Sequence, residues 1–139
     1  RAELEKFESS FFEPKTFIIE KKDGGKIGYI AHFNSYLGLA ELLEIGYAIA
    51  PSERGKGYCT EAAQLMVDYL FLAKDVYRIQ AIANIRNKGS LRVMEKAGLT
   101  KEGTIRLFVR GARRDYCLYS ILREEWKEPK ILTKATSKS

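Results

Sequence analysis

The residues whose types and spacing could do chemistry lie in a glycine-rich loop near the middle of the chain. Arg54, Gly55, Lys56 and Gly57 follow an apolar strand pattern that ends at Pro51, and a helix pattern begins just after them. A helix that opens from such a loop presents unpaired backbone N–H groups and the positive end of its dipole at one point. Because this arrangement binds phosphate or pyrophosphate, the loop predicts a nucleotide-like ligand.

Two familiar phosphate-loop patterns do not fit this segment. A P-loop requires Gly-x-x-x-x-Gly-Lys-Ser/Thr, but Ala50 stands at its first position and Gly57 at its last. A dinucleotide fingerprint requires a third glycine where this chain has Thr60. A third pattern, Arg-x-x-Gly-x-Gly/Ala, begins at Arg54 and fits, except that Cys59 takes the final small position. We interpret Cys59 as a small space-filling residue and not as a redox switch.

Hydrophobic periodicity predicts the elements that must position this loop. Helices are predicted over residues 1–13, 60–73 and 90–97, and strands over residues 16–20, 27–33, 41–50, 77–84, 104–109 and 116–122. This order predicts an α/β (α+β layered) domain in which a mixed sheet carries helices. In the central helix the buried stripe is expected at Ala62, Leu65, Met66, Tyr69 and Leu72 or Ala73.

Composition narrows the classes of function. With 139 residues, of which 45% are hydrophobic and 30% charged, the chain is expected to form one globular domain. Its apolar runs are too short to span a membrane, so no membrane partner is expected. The net charge of +6 is interleaved with acidic residues, which suits an anionic small ligand better than direct nucleic-acid binding. Cys59, Cys117 and His32 form no metal-ligand pattern, so no metal is expected, and the cysteine content favours the cytoplasm.

Four segments in the same order resemble the GNAT family of acyl-CoA N-acyltransferases, and most closely its ribosomal-protein N-terminal acetyltransferases (the RimJ/RimL type). These segments are EIGYAIAPSERGKGYCTEA at residues 44–62, NKGSLRVMEKAGL at residues 87–99, EG at residues 102–103 and DYCLYSILREEW at residues 115–126. The resemblance implies the GNAT fold, with a central mixed, mostly antiparallel sheet flanked by helices. We expect one acetyltransferase domain over residues 1–126 and a polar tail over residues 127–139.

The resemblance also implies a strand and a helix that this sequence does not show before residues 1–13. The domain is therefore expected to be N-terminally incomplete. The missing piece could be truncated, disordered or supplied by another chain, and a homodimer is the candidate assembly. An exposed sheet edge would follow from its absence.

The family resemblance implies acetyl-CoA as the acyl donor, without a metal. The loop amides would bind the pyrophosphate, and the strand before the loop would splay from its neighbour at a bulge to receive the pantetheine arm. An Asn-x-x-Ser motif would lie near the sulfur, although helix capping also explains its asparagine. The implied binding residues are Tyr47, Ala48, Ile49, Arg54, Gly55, Lys56, Gly57, Tyr58, Cys59, Thr60, Asn87 and Ser90.

The chemistry expected is direct attack of an amine on the thioester carbonyl, which needs a base, oxyanion donors and a proton for the thiolate. We predict Glu44 as the base, with Glu41 as a second candidate at the strand's start; the alternative is that Glu44 merely points outward. A backbone N–H near Ile49 is the predicted oxyanion donor. Where many family members carry a tyrosine acid this chain has Val93, Met94 and Glu95, so Ser90 is the predicted acid.

The function indicated is acetyl transfer to a primary amine in a ternary complex, with a protein N-terminal α-amine as the favoured acceptor. Two alternatives stay open at this point. One is a small-amine acetyltransferase that acts on a polyamine or an antibiotic, and the other is an acyl-CoA-binding module without catalysis.

Overall fold

The computed structural model describes residues 14–35 and 41–129. The helix predicted over residues 1–13 therefore lies outside the described residues. So do residues 36–40 and residues 130–139 of the predicted tail.

Six strands and two helices make up the described chain. The strands are β1 (Lys15–Glu20), β2 (Lys26–Asn34), β3 (Leu42–Ile49), β4 (Arg78–Asn84), β5 (Thr100–Val109) and β6 (Ala112–Leu122). The helices are α1 (Tyr58–Ala73) and α2 (Lys88–Lys96), with short 3-10 turns at Pro51–Glu53 and Arg123–Glu125. Within the described ranges, neither helix has the length and apolar character that a membrane crossing requires.

The strands form one sheet in the order β1-β2-β3-β4-β6-β5. Strands β3 and β4 run parallel, and the other neighbouring pairs are antiparallel. The parallel pair is connected by α1, which packs on the sheet as a crossover helix does. The predicted α/β layered fold with a mixed, mostly antiparallel sheet is confirmed.

The hairpin of β5 and β6 is longer than the sequence pattern predicted. Its turn consists of Arg110 and Gly111, with φ angles of 52° and 78°, which is the left-handed geometry of a tight two-residue hairpin. Residues 112 and 113, expected in the turn, already belong to β6. The prediction was short because residues 100–103 of β5 (TKEG) and residues 112–115 of β6 (ARRD) lack the apolar alternation that Ile105 and Leu107 show further along β5.

Alternation along the strands gives the sheet two faces of different character. The helix face, on which α1 and α2 pack, carries buried apolar side chains such as Ile45, Ile79 and Tyr119. The opposite face carries Glu44, Gln80 and Ser120, which are register partners across β3, β4 and β6; we call it the polar face. Because successive strand residues point to opposite sides, the two sets alternate along each strand.

The buried stripe of α1 is displaced from the predicted one. The side chains that face the sheet are Ala63, Met66, Val67, Leu70 and Phe71. The predicted Leu65, Tyr69 and Leu72 are instead exposed. The prediction is right for Met66 and for Ala62, which packs against the core, but wrong for those three residues. The reason is that α1 is apolar around most of its circumference, so its periodicity does not single out one face.

The C-terminal end of α1 is held by Arg123, which follows β6. Its guanidinium donates from Nε to the carbonyl of Val76 at 2.8 Å, and from one terminal nitrogen to the carbonyls of Phe71 and Lys74, both at 2.9 Å. The same group lies over the Phe71 and Tyr77 rings, 5.2 and 5.3 Å from their centroids. One charged side chain thus satisfies carbonyls that the helix end leaves without intrahelical partners.

Arg123→Met should lower the free energy of unfolding by about 2 kcal/mol, since charge-assisted hydrogen bonds to partly buried carbonyls are lost. Urea denaturation followed by circular dichroism measures this. The matched control is Arg113→Met, because Arg113 makes an exposed ion pair with Asp115 at 3.2 Å. Such pairs contribute about 0–1 kcal/mol. Equal losses in the two variants would contradict the role given to Arg123.

Candidate active site

The central parallel pairing of the sheet is unusually short. Strand β3 pairs with β2 over residues 43–49 without a register shift, and β4 pairs with β6 along its whole length. Between β3 and β4, however, the paired residues end at Glu44 and Gln80. The two strands therefore diverge beyond Glu44. The expected splay is present, but the bulge expected with it is wrong, since β3 keeps a regular register with β2.

A cavity of about 450 Å³ occupies this divergence. Its lining comes from both faces of the sheet, so the opening passes between the strands and not merely along one side. The lining residues are Ile45, Tyr47, Ser90 and Met94 on the helix side, and Pro14, Thr16, Tyr29, Ala31, Phe33 and Ile82 on the other, with Gly46 between them.

Backbone N–H groups of β3 point into this gap. The amide of Ala50 donates to the carbonyl of Ile27 on the β2 side at 2.8 Å. Because amide directions alternate along a strand, the amides of Tyr47 and Ile49 point to the opposite side, where the ladder to β4 has already ended. The predicted oxyanion donor near Ile49 thus faces the gap through ordinary strand alternation, and no bulge is needed.

Tyr47 and Ser90 join β3 to the start of α2 across this cavity. Ser90 Oγ donates to the Tyr47 hydroxyl at 3.1 Å, and that hydroxyl donates to the Ser90 carbonyl at 3.1 Å. Burial raises the pKa of Tyr47 to about 12, so the phenol is protonated at neutral pH. The sequence suggested that Tyr47 lines the cavity, which it does, but gave no signal for this contact between residues 43 positions apart.

Asn87 occupies the N-cap of α2. Its Oδ1 accepts a hydrogen bond from the Ser90 amide at 3.1 Å, which satisfies one of the free N–H groups of the first turn. The structure therefore shows Asn87 in the helix-capping role that the sequence offered as an alternative. It also fixes Ser90 at the cavity, because the cap sets where α2 begins.

The glycine-rich loop has the geometry of an anion cradle. Gly55 and Gly57 adopt φ angles of 77° and 86°, in the left-handed region that favours glycine. Gly57 is the N-cap of α1 and provides no side-chain hydrogen bond to the first turn. The helix starts at Tyr58, two residues earlier than predicted, so the amides of Tyr58, Cys59 and Thr60 belong to its first turn.

Open space surrounds this loop. A Cβ placed on Gly55 or Gly57 would meet no atom within 4 Å, so an incoming group could approach the backbone closely there. The uncapped helix N-terminus and this clearance fit the diphosphate of a coenzyme A molecule. The arrangement agrees with the anion-binding geometry of other helix N-termini.

The basic side chains of the loop are partly compensated. Lys56 Nζ lies 3.2 Å from Glu53 Oε2, and Lys21 of the β1–β2 turn lies 3.3 Å from Glu53 Oε1. Burial raises the pKa of the Cys59 thiol, and the nearby Arg54 charge opposes this only in part. A raised thiol pKa disfavours the reactive thiolate, in line with the interpretation of Cys59 as a space-filling residue.

Glu44 lies on the polar face, at the last β3 position that is paired with β4. Its Oε1 accepts a hydrogen bond from Gln80 Nε2 at 2.8 Å. Burial raises the pKa of Glu44, and the hydrogen bond from Gln80 partly opposes the rise. A half-buried carboxylate with a raised pKa is well suited to accept a proton. Glu44 does not itself line the cavity, whereas its neighbours Ile45 and Gly46 do. Glu41, the second candidate, is exposed ahead of β3.

Gln80 was not predicted as part of the site. It stands in the β4 segment RIQAIAN, and its side chain is 5% exposed. A polar residue inside an otherwise apolar strand was the available signal, because a buried amide needs hydrogen-bond partners. Its partner Glu44 is 36 residues away in the sequence, so only the sheet register reveals the pair.

A second, larger cavity lies elsewhere and is chemically different. It has a volume of about 670 Å³ and runs between the β1–β2 hairpin and α1, where Phe17, Ile19, Leu65 and Tyr69 contribute apolar walls. Of the predicted site residues, only Tyr58 lines it. Within the described ranges, no three His, Cys, Asp or Glu side chains are grouped as a metal site requires.

Known proteins are similar to this chain in sequence and in fold. Residues 2–100 match the family model described as "Acetyltransferase (GNAT) domain". "Probable N-acetyltransferase YjcK" of Bacillus subtilis is 38% identical over 110 residues, which are 78% of this chain and 61% of that protein. The chain thus spans about three fifths of the length of this curated relative.

Two solved structures have a similar fold. A ribosomal-protein-S5-alanine acetyltransferase from Vibrio fischeri matches with a TM-score of 0.71 and 26% identity, over 91% of this chain and 69% of that one. A spermidine N-acetyltransferase from Vibrio cholerae, solved with CoA and spermine, matches with a TM-score of 0.71 over 90% of this chain and 76% of that one. Its identity of 22% makes this second likeness one of fold alone.

The divergent central strands, the uncapped helix behind the glycine-rich loop and a family match over most of the chain lead to one conclusion. This chain belongs to the GNAT acetyltransferase family.

Proposed function

We propose that this chain is an acetyl-CoA-dependent N-acetyltransferase that moves an acetyl group to a primary amine by direct attack in a ternary complex. The observation that carries the proposal is the gap between β3 and β4, which opens toward both faces of the sheet. A donor can enter such a gap from one face and an acceptor from the other, so the two reactants meet inside the sheet.

The donor is acetyl-CoA, whose thioester supplies an acyl group that an amine can attack. Its diphosphate is assigned to the amides of Gly55 through Thr60, with positive charge from Arg54 and Lys56. Of the assigned β3 residues Tyr47, Ala48 and Ile49, Tyr47 lines the gap, and Ser90, which follows the N-cap Asn87 of α2, lines it from the other side. This assignment places the pantetheine arm along the unpaired edge of β3, where strand amides point outward.

Glu44 is assigned as the group that takes the proton from the attacking amine. It sits on the polar face where the pairing of β3 and β4 stops, and burial holds its pKa above that of an ordinary glutamate. A base with a raised pKa transfers protons more effectively near neutral pH. The amides of Tyr47 and Ile49 are assigned to stabilise negative charge on the carbonyl oxygen.

Ser90 is assigned as the donor of a proton to the departing thiolate. Its Oγ proton points at the Tyr47 hydroxyl, which in turn donates to the Ser90 carbonyl. Tyr47 therefore remains anchored to the main chain when the Ser90 hydroxyl turns toward another acceptor. The contact holds the hydroxyl at the cavity without locking its proton in one direction.

We propose a protein N-terminal α-amine as the favoured acceptor, as in the RimJ/RimL-type branch. At pH 7.5 roughly a third of α-amines are neutral, against about 0.1% of alkyl amines with a lysine-like pKa, so a single carboxylate suffices as base. The similarity to an acetyltransferase for ribosomal protein S5 supports this choice. A polyamine is the second candidate, because the fold also matches a spermidine N-acetyltransferase.

Gly57→Ala should weaken acetyl-CoA binding about tenfold or more, because the methyl group enters the space where the loop amides meet the diphosphate. Isothermal titration calorimetry with acetyl-CoA measures the change. Gly111→Ala is the matched control, since Gly111 also has a positive φ of 78° and open space at its Cβ. Both variants should lose about 1 kcal/mol of stability from backbone strain. Equal CoA affinity in both variants would refute the assigned diphosphate site.

Glu44→Gln should lower kcat/KM by about 10²–10⁴, because the amide cannot accept the amine proton. It should also remove the Glu44 component from the acid limb of the pH profile, while the component due to the substrate α-amine stays. In the unchanged protein the Glu44 component should lie above the pKa of ordinary glutamate, as burial of Glu44 requires. A steady-state assay of thiol release against pH tests both expectations. Activity at the unchanged level would remove Glu44 from the mechanism.

The stability of the Glu44→Gln variant provides the internal control for its loss of activity. Because the raised pKa means that the folded state binds this proton more tightly than the unfolded chain, the stability contribution of Glu44 falls as pH rises through the interval between the two pKa values. Above that interval, burial of the charged carboxylate destabilises the folded state. The neutral amide of Glu44→Gln does not have this effect. The variant should therefore be at least as stable at pH 7, so a loss of activity would not reflect unfolding.

Acceptor choice is tested with a peptide that has a free N-terminal alanine, the same peptide with its N-terminus acetylated and one lysine kept, and spermidine. At pH 7.5 the free peptide should have the highest kcat/KM, since its amine is neutral far more often. The blocked peptide reports any transfer to lysine. A higher kcat/KM for spermidine would select the polyamine function.

A further inference from the structure

We propose that Gln80 is a positioning residue for Glu44, and that the Arg78–Glu102 ion pair fixes the direction in which the Gln80 amide points. The inference rests on the proposed role of Glu44 as base. It assigns a purpose to the Glu102-Gly103 segment, which the binding and catalytic assignments leave unused.

The orientation of the Gln80 amide follows from what its neighbours can donate. Arg78 lies two residues before Gln80 on the same face of β4, and its guanidinium donates to Gln80 Oε1 from Nε at 3.3 Å and from a terminal nitrogen at 3.2 Å. Because a guanidinium has only donors, the amide oxygen must face it. The amide nitrogen is thereby directed away, and Nε2 donates to Glu44 at 2.8 Å and to Ser35 Oγ at 3.3 Å.

Arg78 is itself held from the opposite side. Its two terminal nitrogens donate to the two carboxylate oxygens of Glu102, one of them at 3.0 Å, and the Ser120 hydroxyl donates to the same carboxylate. Arg78 and Ser120 together hold the pKa of Glu102 below its usual range, so Glu102 is charged. A planar, two-point pair of this kind fixes the guanidinium plane more firmly than a single contact does.

A β-bulge brings Glu102 to this position. Lys101 pairs with Tyr119 and Gly103 with Leu118, so Glu102 is the extra residue of β5 at the register shift. A bulge redirects the side chain of its extra residue. This one directs Glu102 to the polar face beside Arg78. The chain of contacts therefore runs from the bulge through Arg78 and Gln80 to Glu44.

Among the described residues, Gln80 is the main polar group that affects the pKa of Glu44. From β2 the residue opposite Glu44 is Phe33, and the same face of β2 continues with Ala31 and Tyr29. The charged groups that β4 and β5 present on this face are Arg78 and Glu102, which neutralise each other. A hydrogen bond to a carboxylate favours its charged form, so Gln80 keeps the pKa of buried Glu44 from rising further.

The test is the pKa of Glu44 itself, measured on the full chain by NMR titration of ¹³C-labelled glutamate side chains. Glu44→Gln identifies the resonance. Gln80→Met should raise the pKa by about one unit, since it preserves volume but removes the donor. The Glu44 component of the acid limb of kcat/KM should move upward by the same amount. Arg78→Met should also raise the pKa, and Arg113→Met, which breaks an exposed arginine–carboxylate pair of β6, should leave it unchanged.

A double-substitution cycle separates orientation from simple charge. If Arg78 acts by orienting the Gln80 amide, adding Arg78→Met to Gln80→Met should move the pKa no further. An unchanged Glu44 pKa in Gln80→Met, or a full Arg78→Met shift that persists without Gln80, would overturn the inference. Neither result depends on catalysis. Activity that survives Glu44→Gln would instead refute the base assignment, so the two failures are distinguishable.

Discussion

The early end of the parallel pairing between β3 and β4 is the constraint on which the rest of the site depends. Each of these strands is firmly paired on its outer side, β3 with β2 and β4 with β6. The sheet can therefore open along its centre without losing its outer ladders. The Tyr47 and Ile49 amides of β3 are left facing the gap, and such groups need partners when they are buried. A ligand that can accept those hydrogen bonds suits this gap.

Side-chain contacts join the two sides of the sheet where the central ladder ends. On the helix face Tyr47 reaches Ser90, and on the polar face Gln80 reaches Glu44. Both contacts border the divergence, one on each side of the sheet. Glu44 is therefore held by a partner on β4, and Ser90 of α2 is held by a partner on β3. Because each contact joins the two sides of the gap, the positions of both groups depend on the width of the gap. Such support makes a site precise.

Much of the fold could be predicted from local pattern, because turns, caps and strand alternation are local properties. The order of strands and helices was readable. The face of α1 was readable only in part, since its apolar residues surround the helix. The full length of β5 was missed because residues 100–103 are mostly polar, and only pairing with β6 defines them as strand.

The features of the candidate site also divide into local ones, which the sequence predicts, and contacts between distant residues, which it does not. The loop at Gly55 and Gly57 is a local motif, so its backbone geometry followed from residue types. The contacts of Glu44 with Gln80 and of Tyr47 with Ser90 join positions far apart in the sequence, and their pairing is set by sheet register and helix placement. The roles assigned to these residues remain predictions.

The most direct measurement is a crystal structure of the chain with acetyl-CoA or CoA bound. Electron density is expected for the diphosphate at the amides of residues 55–60 and for the pantetheine arm between β3 and β4, with the sulfur near Ser90. A ligand bound in the groove between the β1–β2 hairpin and α1 instead, or a gap between β3 and β4 that stays empty at saturating ligand, would contradict these assignments.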